Sequence, residues 1–455
     1  MIKLKPKKNI IMFSIDYRRI DLYEAFGGIY PTPNISKLAK RGILFNKMYS
    51  PSASTVMSLS SVINGKYPHE FKRFRYPEVN PQYFRNNIFY KMKKNGYKNY
   101  IIYPENFINN WGLGIYMGND AEKVVIPEYL ASDIAVKYLI KLIKKASQPY
   151  FIFFHNVAPE KRGVDPNNVH PMERYVKEDD RAIGEILRNV NFNDTTVVFY
   201  SDHGFLNGEH GHLFSHAFFL YEQNVRVPCI ITSDKTAVCN DAYSLTQLYD
   251  LLLKNEISPP RSIYADTQYK IQPHRVTMVV DDNWKYLAHY SPYTAITGKQ
   301  EELYDLKSDP LENRNLLNDI SRHPLQFIHN IKNVSVSGFD VFRYEQKYID
   351  KKANHLRNKI SKIWLKDFKD VLGYINHKSP NKLVNKIKLM KNFDQLAFIS
   401  HFMCSLKRPK CWYGSKDGIS KNIPFEEYPQ PPFNYPGLPI NFKKHNNDSF
   451  PYKLL

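Results

Sequence analysis

The chain has 455 residues, of which 43% are hydrophobic and 14% aromatic, and this composition excludes a globally disordered protein. Lysine and arginine number 64 against 44 acidic residues, and the net charge of +20 favours an acidic partner: a phosphorylated or sulfated substrate, a nucleic acid or an anionic membrane. The four cysteines are too few for a disulfide scaffold and lack the CxxC spacing of a metal site.

The apolar segments are short. NIIMFSI and YFIFF fall far below the roughly 20 residues that span a bilayer, so no transmembrane segment is expected. The basic N-terminus has too short an apolar part for a signal peptide, which predicts a cytoplasmic protein. No nucleic-acid-binding motif accompanies the positive charge, and therefore no nucleic-acid partner is expected. The sequence does not indicate the oligomeric state.

In chain order, β-branched and aromatic runs predict buried strands at residues 9–15, 100–103, 150–154, 195–200 and 229–232. Helical periodicity lies between them. A first helix is predicted from an N-cap at Thr32, with proline next, to Gly42. A second, at 127–146, has Tyr129, Ile134, Tyr138 and Leu142 on one face. A third follows at 173–190. Apolar strands that alternate with helices predict an α/β fold with a mostly parallel sheet covered on both faces.

The pattern changes after about residue 320. Residues 340–400 predict helix, with an apolar stripe formed by Tyr344, Tyr348, Leu356, Ile360, Ile363 and Trp364. Their many lysines are typical of a solvated helix face. Residues 422–455 are rich in proline and tyrosine and predict an extended segment.

Acidic side chains follow two predicted strands. Asp16 ends the first strand, and Asp202 and His203 follow TTVVFY. Ligand sites of parallel sheets gather at the carboxyl ends of strands, so these residues could hold a divalent cation: Zn²⁺, Mn²⁺, Mg²⁺ or Ca²⁺. Strand ends also carry ordinary helix caps, and spacing alone leaves both roles open. Histidines at 210, 212 and 216 are either ordinary loop residues or include one that contacts a metal or an anion.

These segments together resemble the sulfatase family of the alkaline phosphatase superfamily. NIIMFSIDYRRID, TPNISKLAKRGILFNKMYSPSASTVMSLSSVINGKYPHE, DTTVVFYSDHGFLNGEHG, LYEQNVRVPCII and EELYDLKSDPLENRNLL occur in the order expected of that family. The resemblance implies an alkaline phosphatase-like three-layer fold and three parts: a catalytic domain (1–265), a small C-terminal subdomain that closes it (266–325), and a helical then extended annex (326–455). It also implies one divalent metal ion, held by Asp16, Asp202 and His203.

The resemblance places the nucleophile at Thr55, six residues after Tyr49 and ten before Gly65, in contact with the metal. Ser54 is the alternative if the loop register shifts by one, and the other serines of residues 50–68 are expected to be helix caps and solvent-facing linkers. Sulfatases carry cysteine or serine at the nucleophile position, which an oxidase converts to formylglycine. Threonine cannot be converted in this way, but it is the nucleophile in the superfamily's phosphotransferase branches.

The residues that grip sulfate in the family are largely replaced. Pro104 and Asn106 stand in place of a lysine and a histidine, Glu160 replaces another histidine, and Ala217 replaces a second lysine. His155, Lys161 and Arg162 are therefore candidates for binding an anionic substrate, and His216 is a candidate catalytic residue.

The leading interpretation is a metal-dependent hydrolase or transferase that acts through Thr55 on a phosphate ester, either a diester or a monoester, possibly of a glycan. The second is a sulfuric ester hydrolase that works without formylglycine. The third is an inactive protein of sulfatase fold, whose basic helical annex binds an anionic partner.

Overall fold

The computed structural model describes residues 1–70, 86–104, 120–127, 130–157, 171–211, 213–216, 219–267, 275–290, 301–317, 346–374 and 385. The strands, in chain order, are β1 Ile2–Lys3, β2 Asn9–Ile15, β3 Gly42–Tyr49, β4 Lys98–Pro104, β5 Glu122–Ile126, β6 Tyr150–Asn156, β7 Thr195–Ser201, β8 Leu206–Asn207, β9 Leu213–Ser215, β10 Arg226–Val227, β11 Cys229–Thr232, β12 Ala237–Ser244, β13 Glu256–Ile257, β14 Ile263–Asp266, β15 Arg275–Asp281, β16 Trp284–Tyr290 and β17 Glu301–Asp305.

The α-helices are α1 Pro33–Ala39, α2 Thr55–Asn64, α3 Ile88–Lys94, α4 Ser132–Ile143, α5 Pro171–Asn189, α6 Glu222–Val225, α7 Gln247–Lys254 and α8 Gln346–Tyr374. Short 3₁₀ helices lie at Ile20–Leu22, Glu24–Phe26, Pro68–Glu70 and Glu209–Gly211. Within the described residues, no helix is both long enough and apolar enough to cross a membrane.

A large, mostly parallel sheet forms the centre, as predicted. Its strands follow the order β10, β3, β11, β7, β2, β6, β4, β5. The ninth strand, β12, also pairs with β3 and is parallel to it. β2 lies between β6 and β7 and is parallel to both. β11 is antiparallel to β7 and β3. The five predicted strands are all present in this sheet, with the same bounds or extended by one to three residues.

Both faces of the sheet are covered, because its central strand sends alternate side chains into two different cores. Ile10 and Met12 of β2 pack into one core, with side chains of α2 and α7. Ile11, Phe13 and Ile15 pack into the other, with side chains of α4 and α5. Every residue of β2 is buried, which explains why this strand is mostly apolar instead of alternating. The result is three layers: helices, sheet, helices.

Two helix details differ from the sequence-based expectation. Ile134 of α4 is 46% exposed, because the buried face of this helix is made by Ala135, Val136 and Leu139 instead. The side chain of Thr32 does not cap α1. Asp180 of α5 accepts hydrogen bonds from the amides of Asn34 and Ile35, both at 2.9 Å, so a neighbouring helix supplies the cap that the local sequence suggested.

A second sheet carries the long helix α8. Strands β14 to β17 pair in sequence order as an antiparallel sheet. Leu356, Ile360 and Trp364 of α8 are buried, and the Trp364 indole N–H donates to Thr277 Oγ1 at 2.9 Å. Tyr348 is 41% exposed and so does not join the buried stripe. Tyr129, Tyr344 and the segment 422–455 lie outside the described residues, and the division into three parts stays a prediction.

A buried ion trio ties the second sheet to the central sheet. The Lys285 ammonium, fully buried on β16, lies 3.0 Å from Glu222 Oε1 and 2.7 Å from Glu312 Oε1. Glu222 belongs to α6 and accepts a hydrogen bond from Tyr49 at the end of β3. Glu312 follows β17 in the motif EELYDLKSDPLENRNLL, and its Oε2 accepts the Glu222 amide. One lysine thus satisfies two carboxylates from different parts of the fold.

Replacing Lys285 with methionine is expected to destabilise the protein by about 3–5 kcal/mol, because two buried carboxylates lose their cation. Equilibrium denaturation measures this change. The matched control is Lys254→Met on α7, where the ion pair with Asp250 is exposed and the change should stay within about 1 kcal/mol. Equal effects of the two variants would contradict the role of the trio.

Candidate active site

Two carboxylates meet where β2 and β7 end. These strands are parallel, and Ile15 pairs with Ser201 in register, so that Asp16 and Asp202 are the next residues on neighbouring strands. The Asp202 amide donates to the Ile15 carbonyl at 3.2 Å, and the Asp16 amide donates to the Asn156 carbonyl at 3.0 Å. The ends of three adjacent strands therefore fix the backbone that carries both carboxylates.

The residue after Asp16 has a strained backbone that serves Asp202. Tyr17 has a φ of +62°, in the left-handed region that non-glycine residues rarely adopt. Its amide N–H donates to Asp202 Oδ1 at 3.2 Å, and the His203 amide donates to the same oxygen at 2.8 Å. The Tyr17 ring stacks on Phe205, with centroids 4.4 Å apart. Packing and hydrogen bonding thus stabilise the strained conformation of Tyr17. Both amides donate to Oδ1 of Asp202, and neither donates to Oδ2.

The tautomer of His203 follows from its backbone contact. Nδ1 lies 2.9 Å from the carbonyl oxygen of Gly204, so Nδ1 carries the proton and Nε2 presents a lone pair. Nε2 lies 3.7 Å from Asp16 Oδ1 and 3.6 Å from Asp202 Oδ2. Glycine is needed at 204 because a Cβ there would lie 2.1 Å from the Gln223 carbonyl oxygen.

Thr55 brings a hydroxyl to these groups. It is the first residue of α2, and its Oγ1 lies 3.1 Å from Asp16 Oδ1 and 3.0 Å from His203 Nε2. Ser54 is the N-cap residue before it and is 7% exposed. The Ser54 hydroxyl has no hydrogen-bond partner among the residues described. Thr55, rather than the alternative Ser54, is thus in contact with the carboxylate and the imidazole.

The donor set fits a divalent cation. Asp16, Asp202 and His203 offer ligand atoms that all lie within 4.8 Å of one another, and all three residues are buried. These atoms are acceptors, but the Thr55 hydroxyl has a single proton to share among them. In the described part of the chain, Asp202 Oδ2 has no hydrogen-bond donor. Burial raises the pKa of Asp202 to about 7, despite the amides of Tyr17 and His203 that donate to it.

The serine-rich segment is internal rather than solvent-facing. Ser50, Ser52, Ser58, Ser60 and Ser61 are all 0% exposed, which corrects the expectation of surface linkers. Ser50 Oγ donates to Ser58 Oγ at 3.0 Å, and Ser58 Oγ donates to the Asp202 carbonyl at 2.7 Å. Small hydroxyl side chains therefore fasten α2 to the end of β7, at the point where Thr55 must meet Asp202 and His203.

Two predicted histidines lie near this centre at different depths. The His216 ring stacks on the His203 ring, with centroids 5.1 Å apart, and meets the Tyr17 ring edge-on at 4.8 Å. His155 is 0% exposed, and its Nδ1 lies 3.1 Å from Ser14 Oγ. Burial and the nearby His203 lower the pKa of His155 to about 3, so it stays neutral at ordinary pH. His155 is therefore a buried neighbour of the site and is not presented to solvent.

The side chains of Lys161 and Arg162, and the positions Glu160, Asn106, His212 and Ala217, fall outside the described residues. The His210 ring stacks on Tyr221 at 3.7 Å. Asp21 pairs with Arg19.

A supporting residue that the sequence reasoning passed over is Arg18. Its buried guanidinium donates to the backbone carbonyls of Asp16 and Tyr17 at 3.0 and 3.1 Å, and to Asp179 Oδ2 at 2.7 Å. Tyr23 donates to the same Asp179 oxygen at 2.8 Å. This network holds the strained turn from beneath. Asp179 is the sequence feature that could have indicated this role. It lies on the buried face of the amphipathic helix α5, where a carboxylate requires a cationic partner.

Comparison with known proteins assigns the fold and the family. A profile of the family described as Sulfatase matches residues 8–251, more than half of the chain, and this range includes Asp16, Thr55, Asp202, His203 and His216. The chain belongs to the sulfatase family. This confirms the resemblance drawn from the motifs, and it makes the chain a member of a family of hydrolases.

Individual sulfatases and related enzymes are similar over most of their length. An ulvan-active sulfatase from Formosa agariphila is 23% identical over 405 residues, covering 69% of this chain and 76% of that protein. A protein whose structure was solved in complex with its substrate, D-glucosamine-2-N,6-O-disulfate, has a TM-score of 0.56 at 15% identity. The match covers 70% of this chain and 95% of that protein. A phosphonate monoester hydrolase from Agrobacterium radiobacter has a TM-score of 0.53 at 15% identity. The match covers 71% of this chain and 94% of that protein.

The chelator-treated sulfatase-family chain is expected to bind one equivalent of a divalent cation, measured by isothermal titration with Zn²⁺, Mn²⁺, Mg²⁺ and Ca²⁺ in turn. Saturation at about 100 times Kd should stabilise the fold by about 2.7 kcal/mol. Asp202→Asn should lose the high-affinity site, because an amide supplies a weaker ligand without charge. Asp21→Asn, which changes a carboxylate paired with Arg19, is the control and should bind normally. Equal binding by both variants would contradict the assigned ligands.

Proposed function

We propose that this protein hydrolyses an anionic ester of a glycan, with Thr55 as the nucleophile. The supporting observation is the position of the Thr55 hydroxyl, within 3.1 Å of both a carboxylate oxygen and an imidazole nitrogen at the start of a helix. A lone threonine hydroxyl is a weak nucleophile at neutral pH, and this contact pair is the kind of setting that activates one.

Side chains of this protein carry out the proton transfers and the nucleophilic attack. Asp16, whose Oδ1 lies 3.1 Å from Thr55 Oγ1, accepts the Thr55 proton while Oγ1 attacks the sulfur or phosphorus atom. A bond forms between Oγ1 and that atom, the ester bond to the sugar oxygen breaks, and His216 protonates the departing alcohol. Water then attacks the covalent ester and gives a proton to His216. The bond between Oγ1 and the sulfur or phosphorus atom breaks, Asp16 returns its proton to Oγ1, and the inorganic anion leaves. The first amides of α2, at Val56 and Met57, face the anion with the positive end of the helix. A divalent cation held by Asp16, Asp202 and His203 supplies positive charge to the ester and lowers the pKa of a neighbouring hydroxyl.

A sulfuric ester is the first candidate substrate. The curated relative acts on ulvan by name, and one solved neighbour of the same fold contains a disulfated glucosamine. A phosphate ester, the leading sequence-based interpretation, is the second candidate. It is favoured by the threonine itself, which cannot become formylglycine, and one neighbour of the same fold is a phosphonate monoester hydrolase. The inactive alternative is disfavoured because the hydroxyl, the proton acceptors and the cation ligands converge in one buried centre.

Thr55→Ala is expected to lower kcat/KM by roughly a thousandfold or more, because no neighbouring group can replace the covalent step. Thr55→Ser keeps the hydroxyl and should retain activity within about tenfold. Ser54→Ala is the positional control and should leave the rate nearly unchanged. Mass spectrometry of a quenched reaction should detect the added anion on the peptide containing Thr55. Wild-type rates in Thr55→Ala would remove this residue from the mechanism.

A substrate panel separates the candidate reactions. Nitrophenyl sulfate, nitrophenyl phosphate and bis-nitrophenyl phosphate are offered to the cation-loaded protein, together with a sulfated oligosaccharide. Preference for the sulfates supports the sulfuric ester reading, and preference for either phosphate supports the second candidate. Turnover of none of them, by a folded and cation-loaded protein, would favour the inactive alternative.

A further inference from the structure

A cavity lies away from Thr55, between the helix α8 and the strand β14. It has a volume of about 790 Å³ and is lined by Arg261, Ser262, Tyr264, His355, Lys359 and Lys362, which together are named the basic pocket. The pocket combines residues before and within β14 with one face of α8.

The charge of the basic pocket is only partly compensated. The Lys359 ammonium contacts Asp281 and lies 2.6 Å from Ser262 Oγ, and His355 Nε2 lies 3.4 Å from Asp281 Oδ2. Arg261 and Lys362 are exposed, and neither forms an ion pair with any residue that the structure describes. Of the three lysine and arginine side chains that line the pocket, only Lys359 pairs with a described carboxylate, that of Asp281, which leaves an excess of positive charge in a concave surface.

One wall of the basic pocket is aromatic. The half-buried Tyr264 ring meets the rings of Tyr67 and His69 edge-on, with centroid distances of 5.5 and 5.6 Å. These contacts hold the ring in place, and Tyr264 contributes an aromatic surface to the pocket lining beside the cations. Such a surface suits the C–H face of a sugar ring, and the adjacent cations suit an anionic substituent on that sugar.

The basic pocket and the catalytic centre lie at opposite ends of α2. Thr55 begins this ten-residue helix, which is about 15 Å long, and Tyr67 follows its end. The strand β14 spans a similar interval: Ser262 lines the pocket, whereas the Asp266 amide donates to the Pro51 carbonyl in the loop before Thr55. A monosaccharide at Thr55 cannot reach the pocket, but an oligosaccharide can bridge the two.

We propose that the basic pocket binds a sulfate or phosphate substituent of a polyanionic glycan whose neighbouring ester is presented to Thr55. The glycan nature of the ligand rests on the proposed function, whereas the anion site itself rests on the pocket. Part of the net charge of +20 then serves substrate capture at a site separate from the reacting ester.

The test measures binding of fluorescent dextran sulfate, with neutral dextran alongside, to the full chain carrying Thr55→Ala so that no turnover interferes. The pocket variant adds Arg261→Ala and Lys362→Ala. The charge-matched control adds Lys137→Ala and Lys141→Ala, two exposed lysines on α4 in another layer of the fold. Arg261 and Lys362 make no ion pair among the described residues, so thermal unfolding should show both variants equally folded.

The pocket variant is expected to bind dextran sulfate about tenfold more weakly at low salt, with the slope of log affinity against log salt reduced by up to about 2, since two cations no longer displace counterions. The control should change affinity less than about threefold. Equal affinities of the two variants, or equal binding of neutral dextran, would overturn the pocket. If the pocket variant alone loses binding but the wild type cleaves no ester, the pocket stands and the proposed function fails. If esters are cleaved and the variants bind alike, only the pocket fails.

Discussion

The site depends on the parallel pairing of two strands in one register. Because Ile15 lies beside Ser201, the carboxylates of Asp16 and Asp202 lie at the same edge of the sheet. Both are buried, and ionising a buried carboxylate without a compensating charge costs free energy. A slip of one residue in this pairing would turn one of them to the other face of the sheet. The Arg18 amide donates to Ser201 Oγ at 2.9 Å and the Tyr17 amide donates to Asp202 Oδ1, so the strained turn after β2 joins the ends of the two strands in this register.

The fold was largely predictable because its strands are buried on both faces. Residues 9–15 and 229–232 are mostly apolar, and the sequence and the structure give them the same limits. Side-chain contacts over long separations were not predictable in this way. The cap of α1 comes from Asp180, nearly 150 residues away, and the cation of the buried trio joins Glu222 to Glu312. The local sequence shows that a helix start or a buried charge requires a partner, but it does not show which distant residue is that partner.

The candidate site was predictable to a similar degree. Asp16, Asp202, His203 and Thr55 follow from strand ends and from the family motif, and the structure brings their polar atoms together. Hydroxyl-rich sequence was misleading for the remaining serines, because short polar side chains are typical both of exposed loops and of tight internal contacts between backbone segments. His155, a predicted substrate-binding residue, is 0% exposed, and burial together with the nearby His203 lowers its pKa to about 3.

The central claim is that the lone pairs of Asp16, Asp202 and His203 converge on one cation beside the Thr55 hydroxyl. Crystals grown with Mn²⁺, measured at the manganese absorption edge, test this most directly. The account predicts a single anomalous peak about 2.0–2.5 Å from the carboxylate oxygens and from Nε2, with the threonine oxygen next to it. A folded protein with no peak there, or with the hydroxyl turned away from both carboxylates, would contradict it.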